Sequence, residues 1–328
     1  MDEVSSLRER EIIEIIHRCL EEMPSAPISF GDDVSAVSID KDMLAVLTVD
    51  MFVGKTDMPP GMTLYQAARK AVVTNISDLA SKGVKPSIVL TSLGLPRGLS
   101  REEVEEIGRG VNAGAREYGA YMVGGDTNEA SDIIIDCVAF GKTERRNLIS
   151  RSGAKPGDIV ATTGDFGNTA CGFKILLEGL HAPKDLKERI LKAVYEPKAR
   201  VEEGYVLARS RSVTASIDSS DGLAWSLYEL SKMSGVGFLI DRPPIAPETE
   251  SFARLHGLDP VNLCLYGGEE YELVLTVKPE KWLEARSLIS RLGSELKRIG
   301  VVTKEKSLKL SLNGEVVPIE PKGWEHFK

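Results

Sequence analysis

The chain has 328 residues, 42% of them hydrophobic and 27% charged, which is enough for two domains of ordinary size around a large core. A formal net charge of −8 weighs against nucleic acid or an anionic membrane as partner, and no apolar run approaches the ~20 residues of a membrane span. Four cysteines without a C-x-x-C pair and four histidines without H-E-x-x-H spacing leave disulfide frameworks and zinc sites unsupported. With a polar, acidic N-terminal stretch unlike a secretory signal, the expected setting is the cytoplasm.

In chain order, Leu7, Ile12, Ile13, Ile16, Cys19 and Leu20 fall at helical spacing across residues 6–22. VSAVSI (34–39) and MLAVLTV (43–49) read as strands around a turn at Asp40, Lys41 and Asp42. Residues 63–83 read as a helix, opened by a Thr63–Gln66 capping box and closed by Gly83. A strand at 87–95 leads to a second helix over 100–119, with Ser100 and Glu103 as its capping box. AYMVGG and DIIIDCVAFG follow as strands, giving the order β-β-α-β-α-β-β. The polar stretch 142–158 marks a boundary, dividing the chain into domains 1–148 and 149–328. Beyond it the pattern predicts a strand (159–163), helices near 168–179, 184–194 and 199–210, and a strand at 213–218. A helix (222–234), a strand (236–241), a Pro-rich loop, a smaller helix, a strand (271–277), a helix (280–292) and short terminal strands complete it. The fold class is α+β: two α/β-layer domains, each a mixed sheet with helices on one face.

Five stretches place aspartates at the ends of apolar runs: FGDDVSAV, LTVDMF, NISDLA, VGGDTN and SIDSSDGL. Asp32 and Asp33 follow Gly31 before a strand, and Asp50 ends one. Asn75 and Asp78 lie on one face near a helix end, Asp126 follows a strand and Gly124–Gly125, and Asp218 and Asp221 sit at a strand–helix junction. Any one of them alone reads as a turn or cap. Elements ending at one sheet edge would gather them, and carboxylates so gathered repel unless cations sit between them. Oxygen-rich clusters of this kind suit Mg²⁺.

The glycine loop TTGDFGNTACGFK (162–174) lies between a strand and a helix, where backbone N–H groups are placed to cradle phosphate. It fails as a Walker A loop, because Phe173 stands where the lysine belongs and Lys174 comes one place late. Arg151 and Lys155 are cations near the boundary, able to meet phosphate or to solvate a linker. Glu269 and Glu270, after two glycines, either offer a carboxylate to a cationic ligand or solvate a turn. Trp324 is either a packing residue or an aromatic platform for a flat cationic ring.

Taken in order, GDDVSAV, TVDM, RKAVVTNISDLASKG, VGGDT, RSGAKPGD, SIDSSDGL, SGVGFLID, GGEEYEL and KGWEHF resemble the thiamine-monophosphate kinase family. The wider superfamily includes aminoimidazole-ribonucleotide synthetase and selenophosphate synthetase. The resemblance covers nearly the whole chain and implies that fold. It also implies transfer of the γ-phosphoryl group of ATP to thiamine monophosphate, with Mg²⁺ held by Asp33, Thr48, Val49 (through its backbone), Asp50, Asp78, Asp126, Asp218 and Asp221. By the same match Gly125, Asp126, Arg151 and Ser220 serve ATP, with Asp50, Asp126 and Arg151 closest to the chemistry. Asp57, Glu269 and Trp324 serve the thiamine substrate, and the chain pairs as a homodimer. The loop MFVGKTDM departs from the family pattern in not closing with the histidine and phenylalanine often found there, which bears on Asp57 as a substrate contact. A sister ATP-dependent synthetase with another acceptor, and a non-catalytic ATP-binding regulator, stay open beside the kinase reading.

Overall fold

The computed structural model describes residues 7–326. Ser6 of the first predicted helix and Phe327 of the KGWEHF motif lie outside the described residues. The first half runs α1 (Glu9–His17), β1 (Ser35–Ser38), β2 (Met43–Val53), α2 (Gly54–Asp57), α3 (Leu64–Ser81), β3 (Pro86–Leu95), α4 (Arg101–Glu117), β4 (Tyr121–Glu129) and β5 (Ile134–Glu144). Its five strands form one sheet in the order β1-β2-β5-β3-β4, antiparallel except where β3 and β4 run parallel. Both predicted capping boxes are present: Thr63 and Gln66 open α3, and Ser100 and Glu103 open α4.

The second half runs β6 (Ile159–Thr162), α5 (Asn168–Leu177), α6 (Lys184–Tyr195), α7 (Val201–Ser210), β7 (Val213–Asp218), α8 (Leu223–Ser234), β8 (Gly237–Ile240), α9 (Pro247–His256) and α10 (Pro260–Tyr266). It ends with β9 (Leu273–Val277), α11 (Trp282–Arg291), β10 (Lys297–Thr303), β11 (Leu308–Leu312) and β12 (Glu315–Pro318). These strands form a seven-stranded mixed sheet, β12-β11-β8-β10-β6-β9-β7. The two-layer α+β architecture is as predicted.

Helix α3 is the element both halves share. Ala71, Val72, Ile76 and Leu79 are buried in the first core, and the helix also packs against α7 and β7 of the second half. At Gly204 in α7 an added Cβ would lie 2.0 Å from the Ala80 carbonyl oxygen, so only glycine lets the two helices approach this closely. The other face of the first sheet carries no helix. Strand alternation puts Val49, Met51, Leu90 and Tyr121 on it, and Val49 and Met51 are 60% and 61% exposed.

Several expectations are corrected. The first helix spans only Glu9–His17 and buries none of its residues, so Cys19 is exposed beyond its end rather than packed on an apolar helical face. Asp50 and Asp126 sit inside β2 and β4, not beyond their ends. Two short helices were not foreseen, α2 and α10. The latter is capped by the Asp259 carboxylate, which accepts from the Val261 N–H at 2.9 Å, with Pro260 at its first position.

Candidate functional site

The C-terminal turns of α3 organise the site. Asn75 accepts the Asp50 N–H at 3.0 Å, tying β2 to the helix. Ser77 donates to Asp218 at 2.7 Å, and Ser81 donates to Asp33 at 2.9 Å. The Thr48 hydroxyl donates to Asp78. Through these contacts one helix end holds carboxylates that arrive from β2, β7 and the turn before β1. Oxygens of Asp33, Asp78 and Asp218 all lie within 4.8 Å of one another.

The electrostatics follow from that crowding. Burial raises the Asp78 carboxyl well above its usual range, and the charges of Asp50, Asp218 and Asp33 push it further. Burial, with Asp33 and Asp50 nearby, pushes Asp218 up to about 7. Asp50 is pushed up to about 6 by burial and then by Asp33 and Asp136. Asp33 is the exception. Burial works to raise it, but Lys82 and Arg151 outweigh burial and hold it below the usual carboxylate value. The Lys82 ammonium, fully buried, lies 2.6 Å from Asp32, 2.5 Å from Asp33 and 2.7 Å from the Ser216 carbonyl oxygen. Arg151 reaches Asp33 through Nε at 2.8 Å, while its own N–H meets Asp32 at 2.9 Å. Two fixed cations therefore neutralise Asp32 and Asp33, while among the described residues no lysine or arginine forms an ion pair with Asp50, Asp78 or Asp218. Their hard oxygen donors, whose charges are mutually unfavourable, fit a Mg²⁺-type cation.

Above the cluster lies a cavity of about 400 Å³. Asp33, Val49, Asp50, Asp78, Arg151, Asp218, Ser220 and Asp221 line its floor and one side, and Asp57, Lys70, Glu269, Tyr271 and Trp324 line the other. Asp221 is pushed up to about 6 by burial and then by Glu9. Asp57 spends one carboxylate oxygen on the Val53 N–H at 2.7 Å. Trp324 is half exposed at the rim, its N–H donating to the Asp221 carbonyl at 3.0 Å.

Residues 31–143 match the AIR synthase related protein N-terminal domain and residues 155–313 its C-terminal domain. A thiamine-monophosphate kinase of Nitrosopumilus maritimus is 36% identical over 99% of this chain and 100% of its own length. The chain belongs to the thiamine-monophosphate kinase family. The family's member in Pyrococcus abyssi is 37% identical over 99% of this chain and 97% of its own. A solved AaThiL structure complexed with AMPPCP and TMP superposes with a TM-score of 0.87 at 27% identity, covering 99% of both chains. The E. coli hydrogenase maturation protein HypE, at 20% identity and a TM-score of 0.71, shares the fold alone.

Within this kinase-family fold, three of the predicted site residues do not line the cavity: Thr48, which donates to Asp78, and the more distant Gly125 and Asp126. Gly125 and Asp126 lie on edge strand β4, with Asp126 opposite Ser92, Ser92 opposite Asp136, and Asp136 opposite Met51. Asp126 is thus three strands from β2, about 14 Å at the usual spacing, and on the uncovered face of the sheet. The glycine loop is also corrected. Glu270 occupies it, accepting from the N–H groups of Gly167 and Thr169 at 2.6 and 3.2 Å and from the Thr169 hydroxyl at 2.8 Å. The loop is closed by the protein's own carboxylate and takes no part in the cavity. Lys174 pairs with Glu178 at 3.0 Å, and Lys155 does not line the cavity. Sequence reasoning missed Lys70, Ser77, Lys82 and Tyr271. Lys70 and Ser77 lie seven residues apart on α3 and Lys82 caps it five residues later, and the polar positions along that helix were the signal that could have flagged them.

Proposed function

We propose that the chain transfers the γ-phosphoryl group of ATP to thiamine monophosphate, giving thiamine diphosphate, by direct in-line transfer. The observation that carries this reading is one cavity with a carboxylate cluster and Arg151 at its floor and Trp324 and Glu269 at its rim, in a chain of this family. Asp33, Thr48, the Val49 carbonyl, Asp50, Asp78, Asp218 and Asp221 would hold Mg²⁺, joined by Asp126. Mg²⁺ bound there supplies charge neutralisation between two polyanions during transfer. Arg151, with Gly125 and Ser220, meets the nucleotide phosphates. Asp57, Glu269 and Trp324 receive the acceptor. No general base is required, because a phosphate monoester has a second pKa near ~6 and is largely dianionic at neutral pH.

The reading includes the division into domains 1–148 and 149–328, with metal ligands drawn from both. It also includes a homodimer formed on the uncovered face of the first sheet. That face exposes Val49, Met51, Leu90 and Tyr121 and carries Asp126, with Gly125 next to it in the strand. A second copy seated there covers the apolar side chains and gives Asp126 a site to serve, which a single chain denies it. Light scattering should give twice the chain's 35.7 kDa. The deciding assay is ADP release from ATP and Mg²⁺ with and without thiamine monophosphate. Release that depends on the acceptor supports the kinase. Release that ignores it, or ATP binding without turnover, overturns it.

A further inference from the structure

Two groups on the acceptor side of the cavity have unused hydrogen-bonding capacity next to each other. Lys70 is 2% exposed yet lines the cavity. Two of its three N–H donors are accounted for, by Glu269 Oε1 at 2.6 Å and the Asp57 carbonyl at 3.3 Å. Glu269 uses that one oxygen. Its Oε2 is buried and has no partner among the described residues. A buried carboxylate oxygen left unpaired costs about 1–3 kcal/mol, so it is a place where a ligand donor gains most.

The backbone is arranged to keep the pair there. Glu269 and Tyr271 both adopt left-handed conformations, with φ of 66° and 53°, which non-glycine residues rarely take. Their N–H groups are anchored to the carbonyls of Ser220 at 2.6 Å and Ser219 at 2.9 Å. The alternation sends Glu269 and Tyr271 into the cavity and Glu270 the other way, into the glycine loop. The segment gives up backbone comfort to aim one specific carboxylate.

Resting on the function proposed above, we infer that Lys70 and Glu269 together read the aminopyrimidine edge of the acceptor. On that ring an exocyclic amine, a donor, stands beside a ring nitrogen, an acceptor. The free Glu269 Oε2 accepts from the amine, and the remaining Lys70 N–H donates to the ring nitrogen. The pair does not suit the thiazolium. Glu269 is already neutralised by the ammonium at 2.6 Å, and Lys70 repels a fixed cation. The cationic ring goes instead to the open face of Trp324. Lys70 is thereby a specificity-determining residue, with no part in phosphoryl transfer.

The discriminating probe is the acceptor analogue whose pyrimidine amine is replaced by oxygen, which inverts the pattern to acceptor beside donor. Sites built to hydrogen-bond a substrate group reject such analogues strongly. ADP release is measured for wild type, Lys70→Met and Glu269→Gln with both acceptors, alongside melting temperatures. Wild type should favour the amine by at least about 100-fold in kcat/KM. Lys70→Met should raise the acceptor KM about tenfold or more, leave the KM for ATP within about twofold, and cut the preference below about tenfold. Glu269→Gln can turn its amide N–H toward the ligand and should move the preference toward the oxo analogue by at least about tenfold. If Lys70→Met fails to fold, Glu269→Gln carries the test alone. Wild-type turnover with both preferences unchanged in the variants overturns this inference. Absence of acceptor-dependent turnover in wild type overturns the function itself, and this inference with it.

Discussion

Replacing Asp218 by asparagine should stabilise the metal-free chain while destroying its activity. The carboxyl is pushed from its ordinary 3.8 to about 7, first by burial and then by Asp33 and Asp50. In the folded chain it is therefore neutral up to about 7, whereas in the unfolded chain it ionises above about 4. The folded state binds the extra proton in that window, so stability falls as pH rises from about 4 to about 7 and then levels. At ~1.36 kcal/mol per pH unit, the gap amounts to about 4 kcal/mol at pH 8. Asparagine keeps an oxygen for the Ser77 hydroxyl, which donates at 2.7 Å, and carries no charge. At about 2 °C per kcal/mol for a chain of this size, the variant should melt several degrees higher at pH 8 in chelator, by at most about 8 °C. At pH 5 the difference should shrink by more than half. Adding Mg²⁺ should raise the wild-type melting temperature and move the variant much less. Scanning fluorimetry across pH, with chelator and with Mg²⁺, checks all three arms. A variant that melts below wild type at pH 8 in chelator refutes the electrostatic account of the cluster.

Asp50→Asn and Asp126→Asn should each abolish acceptor-dependent ADP release with the fold intact by circular dichroism, and near-normal turnover in either at ordinary Mg²⁺ removes that residue from the metal set. Lys174→Ala should leave the KM for ATP within a few-fold, since Lys174 pairs with Glu178 and the glycine loop is filled by Glu270; a collapse of ATP binding would restore the phosphate-loop reading. Trp324→Ala should raise the acceptor KM about tenfold and spare that for ATP, because a cation over a tryptophan face is worth roughly 0.5–2 kcal/mol. A lower melting point with unchanged KM values would reduce Trp324 to a packing residue.

Local chemistry was legible in the sequence, and pairing was not. The capping residues Thr63 and Ser100 announced α3 and α4 because a cap is decided within four residues. The aspartates of four motifs were legible because each stands out against an apolar run, and Asp33, Asp50, Asp78 and Asp218 do line one cavity. Within one chain Asp126 stands apart from them because β5 and β3 lie between β2 and β4, an order no local signal encodes. Lys82 reads as an ordinary cation closing a helix, which is where lysine is expected on a surface. Only the docking of β7 turns that position into the interior. Glu270 was visible as a residue but not as the occupant of the glycine loop, since 101–103 residues separate it from its donors.

The anchoring of Lys82 bears on how substrates come and go. Its ammonium is shared between Asp32 and Asp33 of the first half and the Ser216 carbonyl of the second, with no water contact. Swinging the halves apart would take the Ser216 carbonyl from Lys82 and break the largely buried Arg151–Asp33 pair that crosses the same junction, at a cost of several kcal/mol. A clamshell motion is therefore the expensive route. Beside the cavity α1 meets the tail by a Glu9–His326 N–H contact at 3.0 Å, and Arg10 reaches Asp221 at 3.7 Å, pairs with Glu229 and stacks on Trp225 at 3.7 Å. A frame braced in this way gives substrates a fixed cleft to enter rather than a pair of jaws to open.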